Sequence, residues 1–178
     1  MNDATAIQLR LIAEIRDALD VAGVPWWLFG GWAVDFHLGR VSRKHGDIEF
    51  YIWSVDAERV SRTFLDAGFV PQAIPFPDEA IEFRKDGHLI CAVLLMDTAQ
   101  GFVIPGRWTH WPWLRDAFNG PPGAIDGLEA PVVAVEALLD RSLNYEKQAP
   151  GRPPLRERDV TAIEQMRTII ASRSVDDW

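Results

Sequence analysis

Apolar and charged residues alternate along the first twenty positions with a period of three to four. This period is that of an amphipathic helix, which Gly23 and Pro25 would end. The apolar runs that follow are short and bounded by glycine, proline or polar residues, which is typical of strands and short buried helices. The elements predicted in this part are strands at Trp26–Phe29 and Glu49–Trp53 and helices at Trp32–Leu38 and Val55–Ala67.

A β-hairpin is predicted in the middle of the chain. Two strand-like runs, Ala80–Arg84 and Leu89–Met96, flank the dipeptide Asp86-Gly87, and Asp-Gly between two such runs is a strong hairpin signal. The second run is apolar throughout, which predicts a strand buried on both faces. Beyond a tryptophan-rich segment at 101–119, helices are predicted at 132–145 and 155–171.

This order of elements predicts an α+β fold, with a mixed twisted sheet flanked by helices and a helical C-terminal part. A boundary is expected near the turn Pro121-Pro122-Gly123. We therefore interpret residues 1–120 as an α/β core and residues 121–178 as a helical C-terminal extension packed on it. A chain of 178 residues is long enough for such a core.

Composition limits the classes of binding partner and the cellular compartments that are expected for this protein. The net charge of −8 argues against a nucleic-acid partner, whose phosphates require a basic surface, and is compatible with a small cationic substrate. The single cysteine, Cys91, cannot form an internal disulfide, and the N-terminus lacks the basic region of a signal peptide. Since no apolar run is long enough to span a bilayer, we expect a cytoplasmic protein without a membrane partner.

Two carboxylates lie at the mouth of the second predicted strand. Asp47 and Glu49 are two residues apart, so in a strand they project from the same face. Such carboxylates repel each other unless a cation lies between them, and Mg²⁺ prefers one or two carboxylates together with substrate phosphates. Upstream, Gly30-Gly31 precedes a helix, where glycine permits the close approach of a phosphate and free N–H groups favour an anion. This pattern predicts a nucleotide site.

The same stretch carries a family likeness. In order along the chain stand Gly30-Gly31-Trp32-Ala33-Val34-Asp35, then Gly39-Arg40, then Arg43, His45, Asp47, Ile48 and Glu49. This order resembles the signature of the small antibiotic nucleotidyltransferases, the aminoglycoside and lincosamide adenylyltransferases of the polymerase-β-like superfamily. The resemblance is dense from Trp26 to Trp53 and weaker further on, where Arg156-Glu157-Arg158-Asp159 stands in place of the family's R-x-K-D run.

The resemblance implies the nucleotidyltransferase fold and a reaction. That reaction is the Mg²⁺-dependent transfer of a nucleoside monophosphate from ATP to a hydroxyl of a small molecule such as an aminoglycoside or a lincosamide. It further implies that Gly30 and Gly31 contact the triphosphate through backbone N–H groups and that Arg43 faces phosphate. Asp47 and Glu49 are implied to bind Mg²⁺ and to act in catalysis.

Some of these side chains have structural alternatives. Asp35 is expected to form a salt bridge with Arg40 or Arg43, which competes with a phosphate contact by Arg43. His45 is expected to order its loop rather than to take part in chemistry. The tryptophans of 101–119 are expected to fill the gap between sheet and helices, the alternative being that they stack on a base or a sugar-like substrate.

The family mechanism implies a third carboxylate, on a strand antiparallel to the one that bears Asp47 and Glu49. In the relatives it lies in a run like V-D-L-H-P, and the matching run here is Leu89–Leu94. The acid is expected at Cys91, or at Ile90 if the register slips by one, and neither residue is acidic. The departure leaves two interpretations, an active nucleotidyltransferase and a degenerate relative that binds a nucleotide, a small molecule or a protein partner.

Hairpin geometry offers a substitute for the missing acid. If Asp86-Gly87 is a two-residue turn, Glu82 pairs with Cys91, and paired residues point to the same face with Cβ atoms about 4.5–5.5 Å apart. We therefore include Glu82 among the catalytic candidates, although the sequence alone slightly favours an exposed glutamate at the sheet edge.

Overall fold

The structure, a computed structural model, describes residues 3–148 and 154–176. Its helices are α1 (Asp3–Ala22), α2 (Gly30–Leu38), α3 (Ala57–Asp66), α4 (Val135–Gln148) and α5 (Glu157–Asp176). Its strands are β1 (Trp26–Leu28), β2 (Asp47–Trp53), β3 (Val70–Gln72), β4 (Ala80–Lys85), β5 (His88–Thr98), β6 (Gly101–Val103), β7 (Gly123–Ile125) and β8 (Leu128–Ala130). Within the described ranges, no helix is long and apolar enough to cross a membrane.

The main sheet has the strand order β1-β2-β5-β4-β3, and β6 pairs with the far end of β5. Strands β2 and β5 run parallel, while the other neighbours are antiparallel, so the sheet is mixed and the predicted α+β fold is confirmed. The expectation that the strand of Cys91 runs antiparallel to that of Asp47 was wrong. The chain crosses over through α3 after leaving β2, so β5 and β2 begin at the same edge of the sheet.

The hairpin that joins β4 and β5 has the predicted register. Asp86 and Gly87 adopt φ values of 49° and 80°, the left-handed conformation that a two-residue turn between twisted strands requires. As a result Glu82 lies opposite Cys91.

A second hairpin, β7–β8, lies where the sequence analysis placed only a turn before a helix. Its turn residues Asp126 and Gly127 have φ values of 50° and 82°, nearly the same as in the first hairpin. Strand β7 packs against α2, where a β-carbon at Gly123 would lie 2.8 Å from Cβ of Phe36, so only glycine fits this contact. The hairpin thereby fastens the start of the C-terminal third to α2.

Helix α4 begins three residues later than predicted because the preceding backbone pairs with β1. The N–H of Leu28 donates to the carbonyl of Pro131 (2.8 Å), and the N–H of Val133 donates to the carbonyl of Leu28 (3.0 Å). These bonds hold residues 131–133 extended until Val135 starts the helix. Helices α4 and α5 then pack on each other and on α2.

One face of the β2–β5 pair forms the centre of the core. Ile48, Phe50 and Ile52 are fully buried there, together with Ile90 and Ala92 of the neighbouring strand. The prediction that β5 is buried on both faces was wrong for its first half. Residues Leu89, Cys91 and Val93 are only half-buried, because the opposite face is partly open at its leading edge.

Candidate active site

The predicted catalytic carboxylates come together on the partly open face of the sheet. Register places Glu49 of β2, Cys91 of β5 and Glu82 of β4 in one row across three adjacent strands. Asp47 lies on the same face, one pleat closer to the sheet edge. Because neighbouring strands are about 4.8 Å apart, the row spans about 10 Å between its outer Cα atoms.

This arrangement makes ionisation of the Glu49 carboxyl unfavourable. Burial of its carboxyl, with a further contribution from the charge of Asp47, raises the pKa of Glu49 from 4.5 to about 7. The charge of Glu82 acts in the same direction, while Arg158 and Arg43 partly offset it. A cation between the two neighbouring carboxylates would relieve the repulsion that raises this pKa.

The ligand set fits Mg²⁺ held jointly with a substrate. Asp47 and Glu49 supply the hard oxygen atoms that Mg²⁺ prefers. In the part of the chain that the structure describes, no group of three or more His, Cys, Asp and Glu side chains forms a site that could hold a metal by itself. Phosphate oxygens of a nucleotide would complete the coordination of an ion bound to the two carboxylates.

The glycine pair at the start of α2 is required by crowding. A β-carbon at Gly30 would lie 2.7 Å from Oε2 of Glu49, and the φ of +65° at this residue is itself a conformation that favours glycine. A β-carbon at Gly31 would collide with the guanidinium of Arg43 and lie 2.7 Å from Nδ1 of His45. The backbone of α2 therefore starts directly against the metal-binding candidates.

Asp35 anchors the loop that connects α2 to β2. Its carboxylate, 1% exposed, accepts hydrogen bonds from the hydroxyl (2.5 Å) and the backbone N–H (3.1 Å) of Ser42. His45 donates from Nε2 to the same carboxylate (2.7 Å) and stacks on Trp32 with ring centroids 4.2 Å apart. The expectation that His45 orders its loop is confirmed.

The expected salt bridge between Asp35 and Arg40 or Arg43 was wrong. Ser42 and His45 lie over the buried carboxylate and take up its oxygen atoms. Arg43 instead extends toward the glycine pair and donates to the carbonyl of Lys44 (3.0 Å). Its guanidinium is therefore left at the wall of the cleft.

A cleft of about 380 Å³ lies between Asp47 and Glu49, the glycine pair and the start of α5. Arg156, directly before that helix, and Arg158, in its first turn, line the cleft, and Arg156 is held by a charge-assisted bond to Asp159 (2.9 Å). The sequence analysis noted this basic run but gave it no role, because only the packing of α5 on α2 brings it near Glu49.

A second cavity of about 470 Å³ opens on the same glycine pair. It lies among α2, α4 and α5, and Arg43, Arg156 and Arg158 line both cavities. The remaining walls are mostly apolar. Their apolar part is formed by Val34, Leu138, Tyr145, Leu155, Ala162 and Met166, and their polar part includes Arg141, Ser142 and Asp159.

The tryptophan-rich segment fills the space between the sheet and α4, as expected. Trp113, 4% exposed, packs edge-on against Tyr51 (5.7 Å between ring centroids) and Phe118 (5.9 Å). The guanidinium of Arg141 lies 3.9 Å from the ring centroid of Trp111 and 4.1 Å from that of Trp113. These rings therefore pack between Tyr51 of β2 and Arg141 of α4.

Several solved structures share the fold. The solution structure of the antibiotic-resistance factor ANT(2″)-Ia is 21% identical and covers 96% of this chain and 88% of its own, with a TM-score of 0.70. ANT(2″)-Ia in complex with adenylyl-2″-tobramycin gives 21% identity, 96% and 93% coverage and a TM-score of 0.69. The lincomycin-bound lincosamide adenylyltransferase LnuA is 20% identical, and the match covers 89% of this chain and 95% of that one with a TM-score of 0.67. These matches establish the nucleotidyltransferase fold.

Sequence comparison is more specific over a shorter stretch. The 2″-aminoglycoside nucleotidyltransferases of Klebsiella pneumoniae and Escherichia coli are 52% identical over 42 residues. This stretch covers 24% of this chain and 24% of each relative's own length. The profile of the family described as aminoglycoside-2″-adenylyltransferase matches residues 11–139. Because this match takes in most of the chain, the protein belongs to the aminoglycoside-2″-adenylyltransferase family.

Proposed function

We propose that this protein transfers a nucleoside monophosphate from ATP to a hydroxyl of a small molecule of the aminoglycoside or lincosamide kind. The observation that carries the proposal is one cleft in which Asp47 and Glu49 face the start of α2 and a set of arginines. Family membership supports nucleotidyl transfer as the reaction class.

The arginines and the glycine pair suit the triphosphate. Gly30 and Gly31 allow a phosphate to approach the first N–H groups of α2, where the helix dipole favours an anion. Arg43, Arg156 and Arg158 add positive charge at the walls of the same cleft. The adjoining apolar cavity has the chemistry of a pocket for the nucleotide base.

Asp47 and Glu49 are the residues that would hold Mg²⁺. When bound, the ion would neutralise charge on the phosphates and favour displacement of pyrophosphate. The half-buried position of Glu49 and its raised pKa fit a carboxylate that is balanced by a cation in its working state.

Transfer forms a bond between the acceptor oxygen and the α-phosphorus and breaks the bond from that phosphorus to pyrophosphate. Arg43, Arg156 and Arg158 would stabilise the charge that develops on the departing pyrophosphate. The backbone of Gly30-Gly31 would hold the phosphates in place while the acceptor approaches along the row of Glu49, Cys91 and Glu82.

A second candidate function is binding without transfer. Cys91 favours this function, because it puts a thiol in the carboxylate row. Burial and the neighbouring carboxylates raise the pKa of this thiol further. A neutral thiol at this position neither adds charge for a metal nor accepts a proton near neutral pH.

The deciding experiment follows label from α-³²P-ATP into a panel of aminoglycosides and lincosamides by thin-layer chromatography. We expect transfer with Mg²⁺, none with EDTA, and restoration when Mg²⁺ is returned. Asp47→Asn should abolish transfer, while Asp66→Asn, at an exposed site on α3, should leave it intact. Tight ATP binding without label transfer to any acceptor would favour the binding function instead.

A further inference from the structure

We propose that Glu82 is the catalytic base that takes the proton from the acceptor hydroxyl, acting across the β4–β5 hairpin beside the position that Cys91 occupies. This inference rests on the proposed transfer reaction. It assigns to a residue of the neighbouring strand a role that the chain's own Cys91 cannot perform.

Geometry is the first argument. Glu82 and Cys91 form a directly opposed antiparallel pair, whose Cβ atoms are about 4.5–5.5 Å apart and on the same face. Burial, and after it the charges of Glu49 and Glu82, raise the pKa of the Cys91 thiol, so the Glu82 carboxylate lies close to this thiol. The charge of Glu82 also acts on Glu49, at the other end of the row.

Glu82 is less exposed than the sequence predicted, because strands lie on both sides of β4. Strand β4 has β5 on one side and β3 on the other, so Glu82 is not on an edge strand. Gln72 of β3 pairs with Glu82 and closes its outer side. The alternative of an exposed edge glutamate, which the sequence slightly favoured, does not agree with this arrangement, in which Glu82 is half-buried.

The other side chains near the row that could accept a proton have other contacts, another face or another proposed role. His45 is hydrogen-bonded to the buried Asp35 and stacked on Trp32. His88 belongs to the opposite face of β5, since it differs from Cys91 by an odd number of residues. Asp47 and Glu49 are the proposed cation ligands, and a carboxylate neutralised by a cation is a weak base. Asp159, which also lines the cleft, accepts hydrogen bonds from Arg156. Among the carboxylates that the structure describes in the row, Glu82 remains.

The step balances without a further reactant. As the acceptor oxygen attacks the α-phosphorus, its proton passes to the Glu82 carboxylate and the bond from phosphorus to pyrophosphate breaks. Pyrophosphate leaves with the bonding electron pair, and Glu82, now a carboxylic acid, returns the proton to solvent before the next turnover. The side chain therefore acts by proton transfer and contributes no covalent intermediate.

The test variant is Glu82→Gln, which keeps the shape and removes the charge. We expect kcat to fall about 10²–10⁴-fold, the range for loss of a general base. The affinity for ATP with Mg²⁺, measured by titration calorimetry, should stay unchanged. Glu129→Gln, on the exposed face of the other hairpin, is the matched control and should turn over like wild type.

A second variant restores the charge. Cys91→Asp in the Glu82→Gln background should recover part of the lost rate, because the new carboxylate stands opposite the lost one. Wild type that transfers label while Glu82→Gln transfers equally fast would overturn the inference and leave the proposed function intact. Loss of Mg²⁺-dependent ATP affinity in Glu82→Gln would overturn it by making Glu82 a metal ligand. If wild type transfers no label, both proposals are overturned. If the Cys91→Asp single variant then gains transfer, the wild-type protein is a binding protein.

Discussion

Strand β2 has two faces with opposite physical properties. Ile48, Phe50 and Ile52 are fully buried on one face and stabilise the fold through the apolar area they remove from water. Asp47 and Glu49 lie on the other face, where burial and the charge of Asp47 oppose the ionised form of Glu49. The strand period of two keeps these residue sets apart. Adjacent residues of one strand therefore serve stability and the proposed chemistry separately, and substitutions should affect one property with little effect on the other.

The largest expected effect is on the charged face. Asp47→Ala removes one of the two proposed Mg²⁺ ligands, so ATP should no longer bind more tightly with Mg²⁺ than without it. Titration calorimetry with and without the ion measures this difference. Thermal unfolding should show little change, because the variant removes a half-buried carboxylate that repels its neighbour. An undiminished Mg²⁺ dependence would mean that the ion binds elsewhere.

On the apolar face, the matching change is Ile48→Ala. Ile48 lies between the two carboxylates in sequence but is fully buried, so we expect a loss of about 2–5 kcal/mol in the free energy of unfolding from transfer and cavity terms. Urea denaturation measures it. The folded protein should keep the ATP affinity of wild type with Mg²⁺, since the opposite face is unchanged. A parallel loss of affinity would show that the two faces are coupled.

A smaller effect, of opposite sign, is expected at Glu49. A carboxyl whose pKa is about 7 in the folded state and 4.5 when unfolded binds more protons in the folded state between these values. Wild type therefore loses stability as the pH rises from about 4.5 to 7, and Glu49→Gln does not. Without Mg²⁺, the variant should be more stable than wild type by roughly 1–3 kcal/mol at pH 8, a gain that shrinks toward pH 5.

Denaturation at pH 5 and pH 8 checks this prediction, and saturating Mg²⁺ with ATP should reverse the order of stability at pH 8 by stabilising wild type alone. Asp66→Asn is the control, because its carboxylate is exposed and its replacement should give no such pH-dependent gain. Equal stability of Glu49→Gln and wild type at pH 8 would contradict the unfavourable burial of Glu49.

The sequence predicted what is encoded locally. The Asp47–Glu49 spacing, the glycine pair at the start of α2 and the β4–β5 register all follow from residues close together in the chain. The β7–β8 hairpin has the same Asp-Gly turn as β4–β5 but was missed, because its strands have only three residues each and show no clear alternation. An Asp-Gly turn therefore predicts a hairpin only where the flanking strands are long enough to show an alternating pattern.

Features that depend on tertiary packing were not predicted. The parallel direction of β5 relative to β2 leaves no mark in the residues of either strand. The partners of Asp35 could not be derived from its sequence neighbours, because Ser42 and His45 reach it only when the loop folds back over α2. Likewise, Arg158 lies near Glu49 only because α5 packs on α2.

The parallel pairing of β2 with β5 has a consequence for the order of folding. Glu82 and Cys91 meet through a two-residue turn, so their contact costs little loop-closure entropy and forms early. Glu49 reaches Cys91 only after the long connection between Trp53 and His88 has closed, and contacts so distant in sequence form slowly. We therefore expect a refolding chain to acquire its hairpin first and its complete row late, so that the proposed transfer activity returns after the secondary structure.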